Sequence, residues 1–235
     1  MNLARTPIES HPDSRESRGI FMEGVSKSYP TQHGSVRIFD DVCLDIGFGE
    51  KIGVLGRNGA GKSTLMRLIS GAELPSGGRI ARSMTASWPL ALGGGFQGTL
   101  TGMDNIRFIS RVYNLDVQQA VAFVQDFSEL GRYLWEPVRI YSNGMRARLA
   151  FAISMVVDFD CFLIDEVIAV GDQRFREKCQ AELFERRGDR AMVIISHDPN
   201  FVKHYCERAV VIHEKRLLQF PTVDGAYEFY MEHIA

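Results

Sequence analysis

One short run constrains this chain more than any other. Residues 56–64 read G-R-N-G-A-G-K-S-T, directly after a short strand expected at 50–55 and running into a helix expected at 62–70. A strand that turns through glycines into a helix is a phosphate cradle. Glycines let backbone N–H groups curl around phosphate oxygens where a Cβ would clash, and the helix aims its positive end at the same anion. Gly56, Arg57, Asn58, Gly59, Ala60 and Gly61 are expected to wrap the phosphates. Lys62 supplies a point charge between the β- and γ-phosphates, Ser63 suits Mg²⁺, and Thr64 bonds another phosphate oxygen. The run does not choose a function by itself. A guanine-reading N-K-x-D segment is absent, which argues against a GTPase, and a small-molecule kinase stays open at this point.

The rest of the chain fits an α/β frame. Short apolar runs at 161–164, 191–195 and 209–212 read as buried parallel strands, separated by helical stretches. Residues 20–29 and 36–46 alternate partially and suit an antiparallel flank. Helices are expected at 62–70, 103–113, 116–131, 143–157, 173–187, 199–206 and 223–234. The middle, about 98–157, reads as a helical subdomain inserted in one core spanning 20–235. Residues 1–19 carry two prolines and mixed charges with no apolar run, so a disordered leader and no secretory signal are expected.

Composition excludes several classes. Apolar residues make up 45% of the 235, enough for a sizeable core, and the net charge is −2. No global basic field is present to hold nucleic acid or an anionic membrane. The longest uncharged window, Ser83–Met103, contains Pro89 and five glycines and reads as loop rather than membrane span. The four cysteines form no C-x-x-C pair, which fits a reducing compartment.

Further residues form a constellation around the glycine loop. Cys161–Glu166 reads C-F-L-I-D-E, an apolar strand delivering Asp165 to the sheet edge where α/β ligands bind. Asp165 would orient Mg²⁺, and Glu166 would polarise an attacking water. His197 follows the strand 191–195 and is placed either to contact a γ-phosphate or to serve structure. Residues 141–149 read Y-S-N-G-M-R-A-R-L. Ser142 or Asn143 can cap a helix, and Gly144 permits close backbone approach, so this is either an anion-binding helix start or an ordinary capped core helix. Gln97 is a loop glutamine that could reach Mg²⁺ or water. Tyr29 offers an aromatic face for adenine, or is a simple core or surface tyrosine.

Taken in order, these pieces resemble the ATP-binding subunit of an ABC transporter. Tyr29 looks like the A-loop, 56–64 Walker A, Gln97 the Q-loop, 141–145 the signature, 161–166 Walker B, 169–172 the D-loop and His197 the H-loop. The resemblance covers about 20–220. It implies that ATP and Mg²⁺ are bound and that Glu166, His197 and Lys62 serve catalysis. Ser63, Gln97 and Asp165 would attend the metal. It also implies a head-to-tail dimer in which Ser142, Asn143 and Gly144 face the γ-phosphate of the second copy.

The signature reads Y-S-N-G-M in place of L-S-G-G-Q, and the D-loop A-V-G-D in place of S-A-L-D. These departures, with G-G-G-F-Q-x-x-L-T-G, look like the subfamily that exports capsular polysaccharide and O-antigen, capsule exporters most closely. The extra C-terminal carbohydrate-binding domain of many O-antigen exporters is not expected.

The leading expectation is therefore an ATPase at the cytoplasmic face of the inner membrane, held there by a separate transmembrane permease. That permease would handle most of the polysaccharide. Ile106, Phe108, Ile109, Val112 and Tyr113 are expected to line a groove for it. Export of tail-less O-antigen or teichoic-acid-type polymers is an alternative. A soluble ABC ATPase of translation or DNA maintenance is another, disfavoured by the single motif set and the lack of a heptad tract.

Overall fold

The computed structural model describes residues 18–32, 34–90, 97–165, 172–196 and 198–234. The expected leader (but for Arg18 and Gly19), the triple glycine 93–95, Glu166, D-loop residues 169–171 and His197 lie outside the described residues.

Two sheets meet over the glycine loop. The antiparallel flank is β2 (Gly34–Gly47), β1 (Gly19–Thr31) and β4 (Gly77–Arg82), in that spatial order. The main sheet has the order β5 (Cys161–Asp165), β6 (Ala191–Ile195), β3 (Lys51–Leu55), β7 (Arg208–His213), β8 (Arg216–Phe220). Its first four strands are parallel, and β8 closes the edge antiparallel to β7.

The alternation of side chains in these strands explains the layering. Cys161 and Leu163 face one side of the main sheet, with Ala191, Val193, Ile195, Ile52 and Val54, and pack against α1 (Lys62–Ser70) and the antiparallel sheet. Phe162 and Ile164 face the other side with Met192, Ile194, Ala209 and Val211, beneath the helices. Both faces are covered, so the strands read as continuous apolar runs.

Three helices fill the middle of the chain: α2 (Gly102–Val112), α3 (Val117–Ser128) and α4 (Asn143–Val156). A capping box starts α2. The Thr101 side chain accepts from the Asp104 amide at 3.0 Å, and the Asp104 carboxylate accepts from the Thr101 amide at 3.4 Å. Phe127 of α3 stacks on Phe151 of α4 at 5.7 Å and meets Phe175 of α5 (Gln173–Gln180) edge-on at 5.7 Å. These aromatics join the helices to the underside of the main sheet. The chain closes with α6 (Pro199–Tyr205) and α7 (Val223–His233). Among the described residues, no helix is long and apolar enough to cross a membrane.

The expected groove needs correcting at two of its five residues, Ile106 and Ile109. Ile106 and Ile109, three apart on α2, are buried in the helical core. Tyr113 packs one edge on Phe159 at 5.6 Å and lies near Trp88 at 6.0 Å, yet stays exposed. Phe108 and Val112, four apart on the opposite face, are exposed. Helical periodicity divides the apolar set between core and surface.

Candidate nucleotide site

The glycine loop leaves β3 at Leu55 and enters α1 at Lys62. Arg57 and Ala60 close a turn, with the Ala60 amide donating to the Arg57 carbonyl at 3.1 Å. Gly59 (φ +82°) and Gly61 (φ +113°) sit in the left-handed region that side chains avoid. At Gly61 space is also forbidden: a Cβ would lie 2.7 Å from Ile38 Cγ2 and 3.0 Å from Phe39 Cζ. Strand β2 is thus pressed against the start of α1, and only glycine lets the amides at that helix end stay clear. The Leu65 amide then donates to the Gly61 carbonyl at 2.8 Å, opening the helix.

Lys62 folds back over the loop. Its Nζ donates to the Gly56 carbonyl at 2.7 Å and the Arg57 carbonyl at 3.2 Å. One cleft is lined by Ile38, Asn58, Gly59, Gly61, Lys62, Ser63, Thr64 and Asp165. The fold therefore brings the end of β5, a hundred residues downstream, to the serine that follows the loop lysine. A hydroxyl, a carboxylate and a collar of amides is the donor set that suits Mg²⁺ on a polyphosphate, since Mg²⁺ takes one or two protein groups beside phosphate oxygens.

Tyr29 ends the bend of β1 beside the same helix. Its hydroxyl donates to Glu73 Oε2 at 2.5 Å, accepts from Arg67 Nη2 at 3.3 Å and lies 3.4 Å from Thr64 Oγ1. The Lys27 ammonium sits 5.0 Å from the centre of the ring. Burial alone would raise the Glu73 carboxyl, but hydrogen bonds from Tyr29 and Lys27 and the Arg67 charge outweigh it and hold it low. The Tyr29 bond is the largest influence raising Arg67 above the ordinary guanidinium range. Sequence reading found Tyr29 but not Lys27, Arg67 or Glu73.

Among the described residues, Gln97 and Ser142–Gly144 lie apart from this cleft. Ser142 caps α4, accepting from the Met145 amide at 3.2 Å, and Asn143 Oδ1 accepts from Arg146 at 2.6 Å. A Cβ on Gly144 would meet nothing closer than Ser142 Oγ at 3.9 Å, so that helix start is open. Gln97 is exposed, and its amide donates to Asn105 Oδ1 at 3.2 Å. Neither Gln97 nor Ser142–Gly144 lines the cleft.

One link between these segments was not foreseen. Arg148, on α4 just past the signature, bonds Asp172 Oδ2 at 2.7 Å and reaches Glu129 at 3.4 Å. Its guanidinium covers the Phe175 ring at 4.5 Å. Asp172 in turn caps α5 through the Phe175 amide at 2.9 Å, the main cause of its lowered carboxyl pKa. The A-R-L spacing after the signature was visible, but its partner lies 24 residues away.

The sequence matches the ABC transporter family over residues 39–169. It is 57% identical over 211 residues to the capsule polysaccharide export ATP-binding protein CtrD of Neisseria meningitidis, covering 90% of this chain and 98% of that one. It is 55% identical to the ATP-binding protein BexA of Haemophilus influenzae, covering 91% and 98%. Export ATP-binding proteins for O-antigen and teichoic acids are more distant, at 37% and 36%. In fold, the chain superposes with a TM-score of 0.72 on the dimeric ATP-binding cassette MJ0796 solved with ADP and Pi, at 18% identity. That match covers 84% of this chain and 96% of the other.

Proposed function

Because the chain belongs to the ABC transporter family, we propose that it is the ATP-hydrolysing subunit that energises capsular-polysaccharide export through a separate membrane permease. One observation carries the chemical half of this reading. The cleft that joins the glycine loop and Lys62 to Ser63 and Asp165 brings together an ammonium, hydroxyls, a carboxylate and backbone amides, groups that suit a metal-bound triphosphate. The near full-length similarity to capsule export proteins carries the substrate half.

In this reading the amides of 57–62 and the Lys62 ammonium hold the β- and γ-phosphates. Ser63 and Asp165 would hold Mg²⁺, whose charge would offset that of the phosphates. Thr64 donates to a further phosphate oxygen, and Gln97 would be a further group for the metal. Glu166 orients and deprotonates the attacking water, and His197 contacts the γ-phosphate. Two copies close head to tail, so that the open α4 start at Ser142–Gly144 of each meets the γ-phosphate on its partner. That helix start does not line the phosphate cleft of its own chain, which supports the arrangement. The chain forms one ATPase unit over 20–235 with the helical stretch 98–157 inserted. It sits on the cytoplasmic face of the inner membrane, held by the permease, with Phe108 and Val112 on the docking side.

The test is made in cells. Deleting the gene is expected to leave polymer inside and none on the surface. The wild-type gene restores surface polymer, and Lys62→Ala, expressed at equal level, does not. Restoration by Lys62→Ala would refute the proposal.

A further inference from the structure

We propose that Glu73 is a positioning residue for the nucleotide base, acting through Tyr29. The inference rests on the reading of Tyr29 as the adenine platform and deepens it. A phenol has one proton to donate and two lone pairs to accept with. The Tyr29 proton goes to Glu73, at 2.5 Å, because a carboxylate can only accept. One lone pair takes Arg67 Nη2 at 3.3 Å, and the other takes the Thr64 hydroxyl proton at 3.4 Å. The Tyr29 hydroxyl is saturated, and its ring is fixed with it.

Glu73 is itself held. Arg67 Nε lies 2.6 Å from one carboxylate oxygen, and Lys27 Nζ lies 3.1 Å from the other. Lys27 also donates to the Leu74 carbonyl at 2.8 Å. The two cations keep the carboxylate charged and aimed at Tyr29, and Lys27 at the same time sits over the ring.

Thr64 makes the arrangement consequential. Its hydroxyl has one proton. When that proton turns to a phosphate oxygen, the bond from Thr64 to Tyr29 is surrendered. The ring then depends on Glu73 and Arg67 to stay in place at the moment the base arrives. Glu73 thereby lets the phosphate loop engage without releasing the base platform.

The experiment measures equilibrium binding of Mg-ATP and of magnesium-bound inorganic triphosphate to the full chain, with melting temperatures alongside. Triphosphate has the phosphates but no base. Glu73→Gln and Tyr29→Phe are each expected to weaken ATP about three- to tenfold, the net value of one ordinary hydrogen bond, and to leave triphosphate unchanged. The double variant is expected to be no weaker than either single one, because both cut the same link. Tyr29→Phe loses a single oxygen, so it keeps the test decisive if Glu73→Gln fails to fold. Unchanged ATP affinity in Tyr29→Phe, or an equal loss of ATP and triphosphate, would overturn the inference. Tyr29→Ala separates the two levels. If it binds ATP like wild type, the platform reading itself fails. If it binds weakly while Tyr29→Phe and Glu73→Gln bind normally, the platform stands and the role of Glu73 falls.

Discussion

Two glycines in the phosphate loop allow a controlled comparison. Gly59 and Gly61 both have positive φ, at +82° and +113°, so alanine at either is strained by about 1–2 kcal/mol. They differ in space. A Cβ on Gly59 meets nothing within 4 Å, whereas one on Gly61 meets Ile38 at 2.7 Å and Phe39 at 3.0 Å. Phe39 is fully buried and cannot swing away. Overpacking there adds about 1–3 kcal/mol, for a total of about 2–5 kcal/mol. At about 2–4 °C per kcal/mol for a chain of this size, Gly59→Ala should melt about 2–8 °C lower and Gly61→Ala about 4–20 °C lower. The functional contrast should be wider. Relief of the Gly61 clash displaces the start of α1, and a misplacement of about 1 Å in a charge cradle costs about 100-fold. Calorimetric titration with Mg-ATP should therefore show Gly59→Ala within about tenfold of wild type and Gly61→Ala weaker by about 100-fold. Equal losses in the two variants would refute the claim that β2 packs against the loop.

Other outcomes follow from the described contacts and, for Glu166, from its proposed role. Arg148→Met removes the cation over Phe175, worth about 1 kcal/mol, and should lower the melting temperature by about 2–4 °C; Asp172 is too exposed to add a counted amount. An unchanged melting curve would show that the contact contributes nothing. Asp160 is buried enough to be raised, but the Thr85 amide and hydroxyl and the Arg18 guanidinium win and hold it below the ordinary carboxylate value. A group lowered in the folded state stabilises fully above its unfolded pKa and stops doing so as pH falls through the folded one. Asp160→Asn should thus lose stability at neutral pH and flatten its dependence below about pH 4; parallel acid-unfolding curves for the two proteins would contradict this. Glu166→Gln keeps the hydrogen bonding of the carboxylate and removes most of its basicity, so ATP binding should survive while steady-state hydrolysis drops about 100-fold or more. Near-normal turnover by that variant would remove Glu166 from its role.

Much of the fold is legible because it is local. The helix read at 62–70 is α1 to the residue, and those read at 143–157 and 199–206 differ from α4 and α6 by one residue each. Strands buried on both faces leave apolar runs that cannot be missed. Two strands left no such trace. In β4, G-G-R-I-A-R lies at the edge of the antiparallel sheet and is mostly exposed, so nothing selects for an apolar run. The edge strand β8 is half-exposed in the same way. The helix expected at 173–187 is α5 followed by a π turn at Ala181–Glu185, a change of hydrogen-bond step that apolar spacing does not encode. In the site, the glycine loop and Asp165 announce themselves by short motifs. The bonds of Tyr29 to Glu73 and of Arg148 to Asp172 span 44 and 24 residues, and only the folded chain brings such pairs together.

The central claim is that ATP hydrolysis on this chain drives polysaccharide across the membrane through a partner. Inside-out vesicles containing the partner permease, supplied with purified chain and labelled polymer, measure this directly. The account predicts that polymer enters the lumen only when this chain and Mg-ATP are both present, and that Lys62→Ala abolishes entry. Entry that proceeds equally without ATP, or with Lys62→Ala in place of the wild-type chain, would contradict it.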